Sequence, residues 1–497
     1  MNATDKPSLP VRLYRAQQVR EMDRYAIDQL GIPGSELMRR AGLAAFDALQ
    51  RRWPQARTVS VLCGAGNNGG DAYVLARLAV QTGLDVRVYP LAPPEKLQGD
   101  ALAAFEGYRA VGGPLLDFVP VDFEGAQVLV DGLLGTGLDR EVEGAYAEII
   151  RGANRFRGGV LALDVPSGLN ADTGRAMGGA VKADLTVTFI GLKQGLFTGD
   201  GPEHCGAVVF DDLQAPPAVQ ASQSPSARLL PPWVSGLPRR SRGAHKGNYG
   251  HVLVVGGAPG FSGAARMAGE AAARVGAGLV SVATHPNHAA VLNSGRPELM
   301  CHAIATADEL HPLLERASVV AVGPGLGLGQ AGWGRVLFDA VLDSGLPLVV
   351  DADALNLLAR SPIKRDDWVL TPHPGEAGRL LNTTSAAIQA DRFAAIAAIQ
   401  ERFGGTVVLK GSGSLVLGPA SIPAICTQGN PGMASGGMGD VLTGVVAGLL
   451  AQGLDFTEAA ETGVRLHSAA GDRAAIDGER GLLAGDLLPW IRTLVNL

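Results

Sequence analysis

The chain has 497 residues, of which 46% are hydrophobic and 18% charged, with 68 glycines and a formal net charge of −6. This length exceeds what one hydrophobic core usually organises, so we expect two domains. The many glycines follow no fixed period, which indicates frequent tight turns between strands and helices. The acidic balance argues against a nucleic-acid partner, because such a partner requires neutralisation of phosphates.

The four cysteines, Cys63, Cys205, Cys301 and Cys426, are far apart and fit no metal-ligand spacing. They indicate reduced thiols in a cytoplasmic protein. The N-terminal segment has no apolar core of a signal peptide, and no apolar run is long enough to predict a membrane span. We therefore expect a cytoplasmic protein that acts on small molecules without a nucleic-acid or membrane partner. We also expect a homo-oligomer.

A stretch rich in Pro, Ala, Ser and Gln, residues 211–232, lacks helical and strand periodicity. Such a composition is typical of a linker. The sequence therefore predicts a first domain over 1–214, a linker over 215–228 and a second domain over 229–497.

The first domain opens with two helical patterns, one from Val19 to Leu30 and one from Leu37 to Leu49. Apolar strands are then predicted with helices between them, at 59–63, 85–89, 127–131, 160–164 and 185–190. Helices are predicted at 71–82 and 143–152. Most of these strands do not alternate in polarity, which favours a parallel sheet covered on both faces. The prediction is a Rossmann-like, doubly wound α/β domain.

The segment "GAGNNGGD", residues 64–71, joins a strand to a helix. Its glycines would let backbone N–H groups approach a phosphate at the helix start. It has no Walker lysine and does not meet the dinucleotide fingerprint; Asn67, Asn68 and Asp71 stand there instead. The alternative is a plain glycine turn whose polar residues act as caps.

Two further strand ends carry polar residues, "DGLLGTGL" at 131–138 and "DVPSGLNADTG" at 164–174. Asn68, Asp131 and Ser167 would then meet at one edge of the sheet. Their oxygen ligands suit a hard cation rather than zinc, and a single carboxylate suits a monovalent ion. Each Asp at a strand end has the alternative of being only a cap.

These three segments resemble the YjeF N-terminal domain, the NAD(P)H-hydrate epimerase family, over about 15–210; Ala72 stands where that family more often has Gly. The resemblance implies a K+ ion on Asn68, Asp131 and Ser167. Asp164 is the candidate acid/base, and the alternative is a binding module without chemistry. The resemblance also implies that the following residues contact a hydrated nicotinamide dinucleotide: Asn67, Asn68, Gly69, Gly70, Asp71, Gly135, Thr136, Gly137, Leu138, Asp139, Arg140, Glu141, Tyr146 and Asp164.

The second domain repeats the alternation of strands and helices without repeating the sequence. Strands are predicted at 251–256, 279–283, 318–322, 347–351, 368–371 and 406–410. Helices are predicted at 262–275 and 439–451.

A glycine-rich segment before the last of these helices, "GNPGMASGGMGDVLTG" at 429–444, would surround a transferring phosphoryl group with backbone N–H groups. Asp440 would accept a hydroxyl proton, and Glu376 would hold Mg²⁺ through water. Alternatively, Asp440 is only a helix-terminal charge and His373 a loop residue bonded to backbone.

This segment, with "GPGLG", "DADALN", "TPHPGEAGRLL" and "KGSGS", resembles the ribokinase superfamily and, within it, the ADP/ATP-dependent NAD(P)H-hydrate dehydratase domain over about 240–495. The resemblance implies a ribokinase-like α/β fold in which Ala264, Gly327, His373 and Asp440 contact the hydrated dinucleotide. Asp440 would be the catalytic base. The adenine nucleotide, ADP or ATP with Mg²⁺, would contact Lys410, Gly411, Ser412, Gly413, Ser414 and Gly439.

Together the two resemblances imply a bifunctional metabolite repair enzyme. It would interconvert R and S hydrates of NADH and NADPH and dehydrate the S form at the expense of ADP or ATP. The alternative for the second domain is a small-molecule kinase that keeps its phosphorylated product.

Overall fold

The computed structural model describes residues 9–116, 123, 125–234, 236–328 and 332–497. The chain divides into two compact units, residues 1–229 and 230–497. The segment predicted as a linker, 215–228, belongs to the first unit and is partly regular. Pro217 begins a short helix at its first position, and Val219 is fully buried in the core of this unit.

The strands of the first unit form two sheets. Their bounds are β1 (Arg12–Tyr14), β2 (Thr58–Cys63), β3 (Asp85–Pro90), β4 (Val128–Gly132), β5 (Gly159–Leu163), β6 (Leu185–Phe189), β7 (Leu192–Lys193), β8 (Ala207–Asp211) and β9 (Ala227–Leu229). The main sheet is parallel in the order β3-β2-β4-β5-β6-β8. Separately, β1 pairs parallel with β7 and antiparallel with β9. A parallel sheet of this kind gathers loops from several strands at its carboxyl edge.

The helices of this unit are α1 (Ala16–Asp28), α2 (Gly34–Arg52), α3 (Asn67–Gln81), α4 (Gly99–Ala110), α5 (Gly144–Ala153), α6 (Gly201–Cys205) and α7 (Pro217–Ala221). In α1 the buried residues Val19, Met22 and Ala26 follow the predicted helical spacing. Helix α3 begins at Asn67 rather than at 71, so the two asparagines lie in its first turn. The glycines around the two asparagines obscure the helical pattern, so the sequence predicts a helix that begins too late.

The second unit is built on one sheet in the order β12-β11-β10-β13-β14-β15-β16-β17-β18. The strands, in chain order, are β10 (His251–Val255), β11 (Leu279–Thr284), β12 (Met300–Ala303), β13 (Val319–Val322), β14 (Leu348–Val350), β15 (Trp368–Leu370), β16 (Thr406–Leu409), β17 (Ser414–Leu417) and β18 (Ala424–Cys426). All pairs are parallel except β16 with β17 and β17 with β18. The three strands that the sequence did not predict, β12, β17 and β18, are short and lie toward the two ends of this sheet.

The helices of the second unit are α8 (Ser262–Val275), α9 (Pro286–Leu292), α10 (Ala307–Leu314), α11 (Trp333–Asp343), α12 (Ala352–Arg360), α13 (Pro374–Leu381), α14 (Ser385–Ala390), α15 (Arg392–Phe403), α16 (Met438–Ala451), α17 (Phe456–Ala474) and α18 (Ala484–Leu494). Helices α8 and α16 pack through small residues. A Cβ on Gly444 would lie 2.0 Å from the carbonyl oxygen of Ala268, so only glycine permits this approach. The prediction of two α/β domains is confirmed.

All four cysteines are free thiols, and three of them are buried. Across the part of the chain that the structure describes, every helix is too short or too polar to cross a bilayer.

Candidate active sites

A cavity of about 700 Å³ opens in the first unit at the carboxyl edge of its parallel sheet. The start of α3, the loop after β4 and the residue after β5 line this cavity, as expected for an open α/β sheet. It brings together most of the residues that the sequence predicted for this site: Asn67, Asn68, Asp71, Gly135, Thr136, Gly137, Leu138, Asp139, Arg140, Tyr146 and Asp164.

Three predicted residues lie outside the cavity lining: Gly69, Gly70 and Glu141. Gly69 is required by packing, because a Cβ there would lie 2.1 Å from the carbonyl oxygen of Gly64. The side chain of Glu141 is half exposed and forms an ion pair with Arg175 at 2.6 Å. The two glycines therefore bring α3 close to its neighbours, and Glu141 lies at the surface.

The three residues predicted to hold a cation lie around Leu134. Asn68 Nδ2 donates to the carbonyl oxygen of Leu134 at 2.9 Å, and the Leu134 N–H donates to Ser167 Oγ at 2.8 Å. Ser167 Oγ donates to Asp131 Oδ1 at 2.5 Å, and the Ser167 N–H donates to Asp131 Oδ2 at 2.8 Å. The oxygen-bearing side chains of three segments thus converge under the cavity.

This cluster has the features that a hard monovalent cation requires. Asp131 is completely buried, and burial raises its pKa to about 6 despite hydrogen bonds from Ser167 and Leu133. Among the described residues, no hydrogen-bond partner reaches the buried Oδ1 of Asn68. A bound cation would give this amide oxygen a partner, and oxygen ligands are the kind that a hard ion takes. The donor set therefore fits K⁺.

Beside this cluster, Asp164 follows β5 with a left-handed backbone, φ +62°. Its Oδ1 accepts hydrogen bonds from Lys193 Nζ, from the Thr188 hydroxyl at 3.2 Å and from the Phe189 N–H at 3.3 Å. Lys193 is buried and also donates to the carbonyl oxygen of Phe189 at 2.9 Å. The buried ammonium of Lys193 and the carboxylate of Asp164 are thus fixed to each other at the cavity.

Asp23 and Asp71 are among the other carboxyl groups that line the same cavity. Burial raises the pKa of Asp71 well above its ordinary value, and the negative charges of Asp164 and Asp23 raise it further. Burial also raises the pKa of Asp23 to about 6, although the Lys193 ammonium opposes this. Carboxyl groups with such different surroundings in one cavity are suited to acid/base chemistry.

In the second unit, Lys410 lies at the centre of a group of carboxylates. Its Nζ donates to Asp351 Oδ1 at 2.7 Å and lies 3.8 Å from Glu376 Oε2. The Thr443 hydroxyl, from α16, donates to Asp351 Oδ2 at 2.8 Å. Burial alone would raise the pKa of Asp351, but Lys410 and these hydrogen bonds outweigh it, so the pKa is lowered.

Asp440 lies in the first turn of α16, next to this group. Its helix begins after Gly437, which has φ +92°. Burial raises the pKa of Asp440 to about 7, and the carboxylate of Asp351 adds to the effect while Lys410 opposes it. Burial likewise raises the pKa of Glu376 to about 7. A carboxylate with a pKa near neutrality is suited to accept a proton from a hydroxyl.

Other residues predicted for this site make contacts of their own. The Gly327 N–H donates to Asp353 Oδ2 at 2.8 Å, and Ala264 lies 3.3 Å from where a Cβ on the neighbouring Gly325 would be. Gly411 and Ser414 form a tight turn, in which the Ser414 hydroxyl donates to the Gly411 carbonyl oxygen at 2.9 Å. Ser412 and Gly413 lie within this turn.

His373 caps helix α13 while facing the same site. Its Nδ1 accepts from the Gly375 N–H at 2.9 Å, and its own N–H donates to Glu376 Oε2 at 2.8 Å. Burial and the positive charges of Lys410 and Arg379 lower its pKa, which favours the neutral ring. The alternative prediction, that His373 is hydrogen-bonded to backbone, is therefore correct for its Nδ1. The other ring nitrogen, Nε2, lies 3.4 Å from Glu376 Oε1.

Comparison with known proteins identifies both units. Residues 34–195 match the family described as YjeF-related protein N-terminus, and residues 252–492 match NAD(P)H-hydrate dehydratase. The chain is 52% identical to the bifunctional NAD(P)H-hydrate repair enzyme Nnr of Coxiella burnetii, over 97% of this chain and 99% of the relative. It is 43% identical to the enzyme of the same name from Escherichia coli, over 98% and 95% respectively.

The chain belongs to the bifunctional NAD(P)H-hydrate repair enzymes. Its first unit contains the epimerase domain, and its second unit contains the dehydratase domain. The comparisons favour these two activities over the alternatives, which were a binding module without chemistry and a kinase that keeps its phosphorylated product. Among solved structures, it is similar to the ADP/ATP-dependent NAD(P)H-hydrate dehydratase of Bacillus subtilis co-crystallised with ATP/Mg²⁺, at 28% identity over 52% of this chain and 93% of that chain, with a TM-score of 0.46.

Sequence reasoning about this repair enzyme missed several residues at the two sites. In the epimerase domain these are Lys193 and Asp23. The sequence signal for Lys193 is a lysine inside the apolar run "GLKQGLF", and the signal for Asp23 is an aspartate beside the buried Met22. In the dehydratase domain they are Asp351, Asp353 and Thr443. The segment "DADALN" contributes to the resemblance, but the sequence alone indicates no role for its two aspartates.

Proposed function

We propose that the cavity of the epimerase domain binds the hydrated dinucleotide and interconverts its R and S forms at C6. The observation that carries this is the gathering of the α3 start, the loop 135–140 and Asp164 around one cavity. Glycines and helix N–H groups would receive the phosphates, and Asp164 would exchange a proton with the C6 oxygen. Tyr146 lines the wall of the same cavity.

We propose that Asn68, Asp131 and Ser167 hold K⁺ beneath this cavity. When bound, the ion supplies positive charge next to the dinucleotide and satisfies the buried Asn68 Oδ1. The chain's own part is to keep Asp131 in place through Ser167 and to shield it from water.

We propose that the dehydratase domain acts on the S form with ADP or ATP and Mg²⁺, which together supply the phosphoryl group and neutralise its charge. Gly439 and the turn 410–414 would hold the nucleotide. Ala264, Gly327 and His373 would hold the hydrated dinucleotide, and Glu376 would orient water around Mg²⁺. Asp440 would take the proton from the C6 hydroxyl as its oxygen becomes phosphorylated, and phosphate then leaves more readily than hydroxide.

The test incubates the full chain with mixed R and S hydrates, Mg²⁺ and ADP or ATP, and separates the epimers by chromatography. Both epimers should disappear, and reduced-nicotinamide absorbance should return in equal amount to the phosphate released. With Asp440→Asn both epimers should persist and exchange, whereas with Asp164→Asn only the S form should be consumed beyond the spontaneous rate. Loss of both epimers in the Asp164→Asn variant at the wild-type rate would remove Asp164 from the mechanism.

A further inference from the structure

Lys193 is a buried cation directly beneath the epimerase cavity. Only 1% of its side chain is exposed. Its Nζ donates to Asp164 Oδ1, to Thr188 Oγ1 at 3.2 Å and to the carbonyl oxygen of Phe189 at 2.9 Å. Three acceptors therefore satisfy the three N–H bonds of the ammonium, which a buried charge requires. Nothing in this arrangement leaves the ammonium free to hold a substrate oxygen itself.

Asp164 is held on one oxygen only. Within the described part of the chain, every hydrogen bond to its carboxylate ends on Oδ1: those from Lys193, Thr188 and Phe189. The side chain is 17% exposed and lines the cavity, and the backbone is fixed in the left-handed region. Such a conformation persists where the surroundings over-determine it, and it occurs preferentially at functional sites. The second oxygen, Oδ2, is left for the cavity.

We propose that Lys193 is a positioning residue for epimerisation: it neutralises Asp164 and fixes Oδ1, so that Oδ2 accepts the proton of the water that returns to C6. This inference rests on the proposed role of Asp164. It also gives a role to two unfavourable features of this domain, the buried ammonium of Lys193 and the left-handed backbone of Asp164, which would otherwise only destabilise it.

The proton balance involves a second carboxyl group of the cavity. When the C6–O bond breaks, its electron pair leaves with oxygen, the ring nitrogen lone pair forms a C=N bond, and Asp71 donates a proton to give water. When water adds to the other face, the C–O bond forms, the C=N pair returns to nitrogen, and Asp164 Oδ2 takes the proton. The two carboxyl groups then return to their starting states by exchanging a proton with solvent, and no other reactant is needed.

The experiment measures R-to-S exchange in the full chain, without nucleotide, for Lys193→Met and Lys193→Arg. Lys193→Met should lower kcat by about 10²-fold or more while KM changes by less than about 3-fold, since the group acts on proton transfer rather than on binding. Lys193→Arg, which keeps the charge, should recover about 10-fold of this loss. Lys182→Met removes an exposed lysine of the same domain, paired with Glu203 at 2.6 Å, and should leave kcat within about 2-fold.

A second pair of variants separates positioning from folding. Thr188→Val keeps the ion pair but removes one donor to Oδ1 and one acceptor of Lys193, so it should lower kcat less than Lys193→Met does, with KM unchanged. Asp164→Asn combined with Lys193→Met removes both charges and should exchange no more slowly than Asp164→Asn alone. Thermal unfolding of each variant, with dehydration of pure S hydrate by the other domain, checks that the chain is folded.

The outcomes decide the two proposals separately. A normal kcat in folded Lys193→Met overturns the inference about Lys193, and so does a loss that adds in full to that of Asp164→Asn. If Lys193→Met does not fold, the other two variants decide the inference about Lys193. A normal kcat together with an altered KM in both Thr188→Val and Lys193→Arg would then overturn that inference. A normal kcat in Asp164→Asn overturns the proposed function of the site itself.

Discussion

Lys410 Nζ donates to Asp351 Oδ1 at 2.7 Å, and the two side chains, 19% and 2% exposed, carry the central charges of the dehydratase site. Removing one partner of such a buried pair leaves an uncompensated charge. We therefore expect Lys410→Met to lower the free energy of unfolding of this domain by about 3 kcal/mol. Urea unfolding followed by circular dichroism measures this change.

The matched control is Lys364→Met, which removes an exposed lysine of the same domain. It should change the unfolding free energy by less than about 0.5 kcal/mol. Equal effects of the two substitutions would show that Asp351 does not depend on Lys410. Combining Lys410→Met with Asp351→Asn should recover part of the loss, because no charge is then left unpaired.

Asp440→Asn should abolish dehydration and leave exchange of R and S hydrates intact. Loss of a positioned general base costs about 10²–10⁴-fold in rate. The control is Asp455→Asn, since Asp455 also lies at a helix start, where it accepts from the Glu458 N–H at 2.8 Å, but is not among the residues placed at the site. If both substitutions slowed dehydration equally, Asp440 would act only as a helix-terminal charge.

The dehydratase should respond to pH through the same carboxylate. A general base works only when deprotonated, and burial raises the pKa of Asp440 to about 7. The value of kcat/KM for S hydrate should therefore fall as pH decreases below about 7 and level off above it. Initial rates from the nicotinamide absorbance, corrected for spontaneous reaction of the hydrate, measure the profile. A profile that stays flat between about pH 5 and pH 7 would contradict the assigned base.

Much of the fold followed from the sequence because buried parallel strands are continuous apolar runs. The runs at 59–63 and 279–283 became β2 and β11 with ends shifted by at most one residue. Short outer strands such as Met300–Ala303 were missed, since they are only partly buried and carry no clear pattern. The short helix at Pro217–Ala221 was hidden in a composition typical of linkers.

The residues of the two sites also divide into those that the sequence reveals and those that only the fold brings to the site. Asp164 directly follows an apolar strand, and Asp440 follows Gly439 at the start of a helix, so both are visible in the sequence. Lys193 and Asp351 act through partners far away in the chain, so only folding brings them to the site. A lysine within an apolar run gains its significance from the carboxylate it meets, and a single sequence does not reveal that carboxylate.

Gly439→Val should weaken binding of ADP or ATP to the dehydratase domain. A Cβ at this position would lie 3.1 Å from Lys410 Nζ and 3.5 Å from Asp351 Oδ2, so a branched side chain would fill the space beside the charged pair. Gly485→Val is the matched control, because a Cβ there meets nothing within 4 Å and Gly485 is not among the residues placed at the site. Calorimetry on the full chain should show a loss of about 10-fold or more in affinity for the first variant only. Unchanged affinity in Gly439→Val would place the nucleotide elsewhere.

Potassium should stabilise the epimerase domain and support its activity through Asp131. This carboxylate is fully buried and hydrogen-bonded to Ser167, and within the described residues Asn68 Oδ1 is buried without a hydrogen-bond partner, so a bound cation would give that oxygen a partner. In buffer containing K⁺, the melting temperature of the wild-type domain and its rate of epimer exchange should exceed those in a bulky organic cation. Asp131→Ala should remove both responses while dehydration of pure S hydrate continues.

The control is Thr186→Val, which removes a buried hydroxyl that donates to the carbonyl oxygen of Cys205 at 2.7 Å. This variant should be less stable than the wild type but should keep the response to K⁺. Equal melting temperatures and rates of the wild type in the two buffers would mean that the three residues hold each other rather than an ion.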